Sequence, residues 1–317
     1  MQALSAFEHG LYAVDAGYVR PLHAAIHLIV ENGRVVIVDT GTAASLVHAL
    51  EALRVLGLGA GCVDYVVLTH VHLDHAGGAG AMMGAFANAR LVVHPRGVAH
   101  MVNPSRLIAG VTAVYGAAEV DRLYGRILPI EEQRIIPATD GLTLDLAGRE
   151  LLCLDTPGHA RHHISLVDRQ SGGIFTGDIF GLSYRELDTD GRQFIFPTTT
   201  PVQFDPEAMH ASLELLMGYQ PEFVYLTHYS QVGDVAAQAA RLHDLVDAHV
   251  RIARCVRGSV ADRDGRIRAG LAQLLLDEVK RFGCRLPTDE VLEIFATDLT
   301  LNSQGLAVWL DSQAVGR

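Results

Sequence analysis

The sequence predicts an α/β protein: a domain of alternating strands and helices over residues 1–232, then an all-helical C-terminal extension over 233–317. Three observations predict it. Short runs rich in Val, Ile and Leu, bounded by Gly, Pro, Asn or Asp, recur between amphipathic stretches as far as 223–227 (FVYLT). From Asp234 onward only helical periodicity remains. At four places a strand-like run is followed at once by a side chain able to bind a metal ion.

The elements follow in order. Residues 26–30 and 34–39 (RVVIVD) flank the turn signal Glu31-Asn32-Gly33 and read as two strands. A helix starts near Thr42 as N-cap, with Leu46, Val47, Leu50, Leu53 and Leu56 as its buried stripe and Gly57 as its stop. Residues 64–69 (DYVVLT) form a buried strand that runs straight into His70-Val71-His72-Leu73-Asp74-His75. A helix over 76–87 and a strand over 89–94 come next, then short helices within 97–128. Residues 142–146 and 150–154 pair as a hairpin about Ala147-Gly148-Arg149, and 163–167 and 173–176 are the next strands. A long loop, 181–204, leads to Asp205 and Pro206, the cap and first position of a helix reaching about Met217. In the extension, Ala236, Ala239, Ala240, Leu242, Leu245, Val246, His249, Val250 and Ile252 trace an apolar face, and helices continue over 271–281 and 288–295.

Composition narrows the function. The chain has 317 residues, enough for a fully buried core. Its 36 acidic and 25 basic side chains leave a net charge of −11, which argues against a nucleic-acid partner, whose phosphates need Lys and Arg. Cys62, Cys153, Cys255 and Cys284 form no close pair and suit reduced thiols. Residues 1–10 lack the basic-then-apolar layout of a signal peptide, and no apolar run approaches the ~18 residues that span a bilayer. The expectation is a cytoplasmic protein without membrane or nucleic-acid partners. The 16 histidines are what composition leaves to explain.

Spacing explains several of them. His70 and His72 are two apart, so in an extended segment both imidazoles project to one side. Asp74 and His75 come as the chain turns into a helix, where adjacent side chains diverge, so one cluster can serve two metals. Gly77 and Gly78 allow a tight turn beside it. Pro157-Gly158-His159 follows ELLCLDT, Gly177-Asp178 follows GGIFT, and His228 follows FVYLT. His94, His210, His243 and His249 have no such setting and read as ordinary hydrogen-bonded histidines.

Thr69-His70-Val71-His72-Leu73-Asp74-His75, with Thr156-Pro157-Gly158-His159, Thr176-Gly177-Asp178 and Thr227-His228, resembles the metallo-β-lactamase superfamily. The likeness frames residues from about 10 to 232, and with the helical extension it is nearest the glyoxalase-II-like hydrolases. It implies a four-layer αββα sandwich with a dinuclear metal centre at one edge of its two sheets. Position by position, it implies His70, His72 and His159 on one metal, Asp74, His75 and His228 on the other, and Asp178 bridging them. Val38-Asp39-Thr40-Gly41 matches the family's early motif, which gives Asp39 a supporting role, and His163 occupies a second supporting position. The glutathione-binding residues of true glyoxalase II find no match here.

Two divalent cations ~3.5–4 Å apart lower the pKa of a bridging water towards neutrality. Asp74 and Asp178 would serve catalysis by offsetting the cationic charge and orienting the pair. Zn2+ is the expected metal, with Fe or Mn as alternatives. No general acid stands out beyond the metals, and a thiolate leaves without one because a thiol pKa is only ~8.5. The expected activity is therefore hydrolysis of a thioester or small acyl ester by a bridging hydroxide. The alternatives are a mononuclear-iron persulfide (sulfur) dioxygenase and a non-catalytic sensor or effector whose helical tail binds a partner. Phe194, Phe196 and Pro197 are expected to give the long loop an apolar surface for an acyl chain or a homodimer contact. His162 is expected to be exposed, and Tyr184 and Tyr229 to pack with wet hydroxyls or to donate to a bound oxyanion.

Overall fold

The computed structural model describes residues 4–256 and 262–315. The chain divides into two compact units. The first comprises residues 4–155, His162–Gly177 and Pro221–Gln231; the second comprises Thr156–Arg161, Asp178–Gln220 and the chain from Val232 onward.

Two mixed sheets are built almost entirely from the first unit. Strands β1 (Ser5–Phe7), β2 (Leu11–Asp15), β3 (Ala25–Glu31), β4 (Arg34–Val38), β5 (Val63–Val67), β6 (Arg90–Val93) and β7 (Ile135–Pro137) follow one another in sequence order across the first sheet. β1 to β4 pair antiparallel, and β4 to β7 pair parallel. The second sheet runs β13 (Ser230–Val232), β12 (Phe223–Leu226), β11 (Gly173–Gly177), β10 (Ile164–Asp168), β9 (Arg149–Asp155), β8 (Thr143–Leu146). Here β8 to β11 are antiparallel, and β11 with β12 is parallel.

The apolar run RVVIV is explained by burial on both faces of β4. Val35 and Ile37 enter one core, with Leu53, Met82 and Phe86, while Val36 and Val38 enter a second. That second core joins the sheets: Val67 and Val92 of the first meet Leu151, Cys153, Leu166 and Phe175 of the second. Strands covered on both sides lose the polar alternation of a half-exposed sheet. Helices α1 (Leu46–Val55), α2 (Leu73–Ala76), α3 (Ala79–Ala85), α4 (Pro95–Val102), α5 (Ser105–Tyr115) and α6 (Ala117–Tyr124) complete the first unit.

α1 differs from its expected stripe. A 3-10 turn over Ala43–Ser45, with Thr42 as cap, precedes it and sets its phase, so the buried positions are Ala49, Ala52 and Leu53. Val47 is 63% exposed and Leu50 38%. The expected helix over 76–87 is interrupted at Gly77 and Gly78, giving α2 and α3. Gly78 could not be replaced cheaply: a Cβ there would lie 2.5 Å from the Thr42 carbonyl oxygen.

The second unit is helical: α7 (Pro206–Met217), α8 (Val235–Cys255), α9 (Arg263–Phe282), α10 (Thr288–Ile294) and α11 (Ala296–Val315). α7 starts as its sequence indicates, with the Asp205 carboxylate accepting from the Ala208 N–H at 3.1 Å. The apolar face of α8 holds at Ala239, Leu242, Leu245, Val246, His249 and Val250, while Ala236 and Ala240 are exposed. α11 is a helix that periodicity does not announce. It buries Asn302, Ser303 and Gly305, and a Cβ on Gly305 would lie 1.7 Å from the Thr199 carbonyl oxygen. Asn302 accepts from the Thr199 N–H at 2.7 Å and donates to the Pro197 carbonyl at 3.3 Å.

The long loop is corrected by the same contacts. Phe194 and Phe196 are buried within the second unit, against Phe295, with ring centroids 6.3 and 4.9 Å away. They pack inside the second unit and present no exposed apolar surface. Two mixed sheets with flanking helices and a run of C-terminal helices are the αββα class with helical extension. Among the described residues no helix is long and apolar enough to cross a membrane.

Candidate metal centre

In the first unit the site is organised by one carboxylate. β4 and β5 are parallel neighbours in register at Val38 and Val67, and the residues just past their ends lie side by side. Asp39, at φ +57°, turns the chain there; Asp is among the few non-glycine residues at ease in that region. Its buried carboxylate accepts from the Thr69 N–H at 2.8 Å, the Thr69 hydroxyl at 2.8 Å and the Thr227 hydroxyl at 2.7 Å. It also meets His75 Nδ1 at 2.8 Å. Asp39 thus ties together the ends of β4, β5 and β12 and the start of α2.

The hydrogen bonds fix which nitrogen each histidine presents. A carboxylate only accepts, so His75 carries its proton on Nδ1 and presents the Nε2 lone pair. His228 Nδ1 donates to the His23 carbonyl at 2.6 Å, so it too presents Nε2. Those two nitrogens lie 3.8 and 3.3 Å from Asp74 Oδ2, and the donor atoms of all three residues fall within 4.8 Å of one another. Metal-binding histidines characteristically hold a carboxylate or carbonyl on the second ring nitrogen.

His70 Nε2 stands 2.9 Å from His72 Nδ1, at hydrogen-bond distance, so the two nitrogens face one another. His163 stacks on His70, centroids 5.2 Å apart at 29°. Gly177 (φ +50°) makes room: a Cβ there would come within 2.7 Å of both His163 Nε2 and Thr69 Oγ1. His162 is buried, not exposed. It lies parallel to His70 at 6.2 Å, and desolvation, helped by the charge of His72, pushes its pKa down to about 3.

In the second unit His159 Nε2 and Asp178 Oδ2 are 3.5 Å apart, both residues buried. The loop of His159 is clamped by the start of α7: Gly158 O accepts from Asp205 N at 2.8 Å, and Pro157 O from the Ser212 hydroxyl at 2.6 Å. Gly158 is required there, since a Cβ would lie 2.4 Å from the Met209 Cα.

Imidazole nitrogens and carboxylate oxygens are the donor set of Zn2+, Fe and Mn rather than of thiolate-selected ions. Cys153 is no ligand; it sits in the core between the sheets, and burial pushes its thiol up to about 12. His94 caps α4, His249 Nδ1 donates to the Leu245 carbonyl, and His210 faces His243, so these four stay outside the donor set. The Tyr184 hydroxyl is not wet; it is buried and donates to the Asp298 carboxylate at 3.1 Å. Tyr229 is buried too, against Ala13 and Ala25. The supporting roles of Thr69, Thr227 and the His23 carbonyl were not anticipated. The paired Thr-His at two strand ends was a visible signal for the first two, whereas a backbone carbonyl leaves none.

Comparison with known proteins agrees with this architecture. The family profile described as Metallo-beta-lactamase superfamily matches residues 19–228. A metallo-beta-lactamase fold-containing protein of Sulfurisphaera tokodaii, ST1585, is 26% identical over 233 residues, 69% of this chain and 78% of that protein. A hydroxyacylglutathione hydrolase of Acidiphilium cryptum is 30% identical over 199 residues, 63% of this chain and 61% of that relative's length. In fold, the solved structure of ST1585 superposes with a TM-score of 0.64 at 22% identity, covering 94% of this chain and 98% of that one. The metallo-beta-lactamase family protein TTHA1429 of Thermus thermophilus gives 0.67 at 21% identity, covering 96% and 94%. With the profile spanning most of the chain and the motif residues standing at the strand ends, this chain belongs to the metallo-beta-lactamase superfamily.

Proposed function

We propose that the protein is a dinuclear metal-dependent hydrolase acting on a thioester or small acyl ester. In this reading His70, His72 and His159 hold one divalent ion, Asp74, His75 and His228 hold the other, and Asp178 lies between them. One observation carries it: the carboxylate of Asp39 and the carbonyl of His23 orient His75 and His228 so that both present Nε2 towards Asp74. Chain connectivity supports the two remaining ligands. His159 is three residues from His162, a reach of at most ~11 Å, and Asp178 is bonded directly to Gly177 at the end of β11. Hydrolase relatives support the reaction class, because several are named hydroxyacylglutathione hydrolase.

A pair of divalent ions supplies, when bound, a hydroxide nucleophile near neutral pH and positive charge for a developing oxyanion. The residues of this chain orient that chemistry. Asp39 keeps the proton of His75 on Nδ1, the His23 carbonyl does the same for His228, and His163 packs against His70. Asp74 and Asp178 offset cationic charge.

The test combines metal analysis with thiol release from a panel of acyl thioesters. Two metals per chain, with turnover lost on chelation and restored by Zn2+ or Mn2+, is the expected result. One iron per chain with oxygen uptake on a persulfide would overturn it in favour of a dioxygenase. Asp178→Ala should lower turnover by ~10²-fold or more while unfolding stays cooperative. A folded, fully active Asp178→Ala would remove that residue from its bridging place.

A further inference from the structure

The second unit holds a cavity of about 280 Å³ whose lining includes none of the metal donors and does include Arg192, Arg241, Arg281, Phe194, Ile195 and Phe282. Three guanidiniums converging on one cavity stand out in a chain with a net charge of −11. They come from three places: the loop before α7, the first third of α8 and the end of α9.

The charges are arranged, not scattered. Glu278, buried in α9, pairs with both Arg241 and Arg281. Arg192 donates to the Phe282 carbonyl at 2.8 Å, and its guanidinium lies over the Phe282 ring, 4.6 Å from the centroid. Asp244 also acts on Arg241, so three guanidiniums face two carboxylates and the cavity stays net positive. Desolvation and the nearby charge of Arg281 lower the pKa of Arg241, against the opposing charge of Asp244. Each guanidinium has five N–H donors, and these contacts engage only some of them.

The rest of the wall is apolar. Phe194 and Ile195 are buried, and Phe194 meets Phe282 edge to face at 5.5 Å. A net positive wall asks for an anion, and forked guanidinium donors from three elements suit a group with three terminal oxygens. The volume lies near the lower limit of small-molecule pockets, ~300 Å³, leaving room for a compact organic group on the aromatic side. We propose that this cavity is a binding site for a small phosphate monoester, its phosphate held by Arg192, Arg241 and Arg281 and its organic group against Phe194 and Phe282. The site does not depend on the hydrolase reading above.

Titration calorimetry of the metal-loaded, full-length protein with phenyl phosphate tests it. The expected result is one saturable site beyond any phosphate bound by the metals, weakened about tenfold or more, ~1.4 kcal/mol, in Arg192→Gln and in Arg281→Gln. Arg192 is exposed, so Arg192→Gln should keep the parent's thermal unfolding, whereas Arg281→Gln also removes a partner of the buried Glu278 and is read only at temperatures where unfolding shows it fully folded. His70→Ala, which disturbs only the metal donors, should leave this binding within about twofold. Three results would overturn the proposal: no saturable binding at millimolar phenyl phosphate, binding that disappears in His70→Ala but survives both arginine variants, or equal affinity for benzoate.

Discussion

Asp39→Asn is the substitution that most directly tests how the site is built. The carboxylate receives Thr69 N–H, the Thr69 and Thr227 hydroxyls and His75 Nδ1–H, all at 2.7 to 2.8 Å. Asparagine keeps the volume and is at ease at φ +57°, so the backbone is not perturbed. It offers one oxygen and one NH2, however, where the native group offers two acceptors. If the amide oxygen keeps the Thr69 N–H, the NH2 faces Thr227 and His75. The threonine hydroxyl can rotate to accept, but His75 must then give up its Nδ1 proton and carry it on Nε2, the nitrogen meant for the metal. If the amide is reversed, NH2 meets the Thr69 N–H donor to donor. Either orientation loses at least one hydrogen bond to a charged acceptor.

Such a bond contributes about 1.5–3 kcal/mol, so the metal-free protein should lose on the order of 2–3 kcal/mol. Losing the partner of a metal-bound histidine typically weakens the metal by ~10–100-fold. Competition against a chromophoric chelator measures the second quantity, and urea unfolding of the chelated protein measures the first. Metal affinity within about twofold of the parent, with unchanged unfolding, would refute the claim that Asp39 sets the tautomer of His75.

Three further outcomes are expected. Gly305→Ala places a methyl 1.7 Å from the Thr199 carbonyl oxygen, inside the hydrogen-bonded contact of α11 with the 197–199 segment, and should cost at least ~3 kcal/mol in thermal unfolding. A near-neutral result would mean that α11 does not pack there. Tyr184→Phe removes the donor to the buried Asp298 carboxylate and should destabilise by ~1.5–3 kcal/mol without altering metal stoichiometry; a loss of turnover at unchanged stability would instead put the hydroxyl on substrate. Burial lowers His27 and His249 to about 4, below the ordinary 6.5, so both are neutral in the fold. Their contribution is complete above about pH 6.5 and declines as pH falls from there towards 4, by a few kcal/mol each at order of magnitude. His249→Leu should flatten that decline in urea titrations at about pH 7, 5.5 and 4.5; an unchanged slope would assign it to other groups.

The seven proposed ligands were legible because five follow strand ends closely, Asp74 and His75 continue the same short run past β5, and the strands themselves are strongly apolar. β4 and β5 are covered on both faces, so their runs need no subtle period. β1, β7 and β13 are three residues long, too short for alternation to register. In α1 two apolar stripes competed, and the one made of Ala49, Ala52 and Leu53 is the poorer in hydrophobic bulk, although small side chains let a helix lie close to a sheet. α11 failed for the opposite reason: it buries Asn302, Ser303 and Gly305 against backbone, so polarity and exposure part company along it.

The burial of Phe194 and Phe196 changes the case for substrate. Read from sequence, they offered an apolar surface for an acyl chain or a homodimer contact. In the folded chain they meet Phe295, and Phe194 also meets Phe282, inside the second unit, so the loop over 181–204 is spent on anchoring helices. Preference for a thioester must then rest on the leaving group alone. A thiolate departs unprotonated, whereas an amide nitrogen needs a proton donor. The two tyrosines that could have served are both buried, and the Tyr184 hydroxyl is already given to Asp298. His162, the remaining imidazole beside His70, is held neutral by burial down to about pH 3 and makes a poor acid at neutral pH. For the proposed hydrolase, a thioester is therefore the substrate class that asks least of these three side chains.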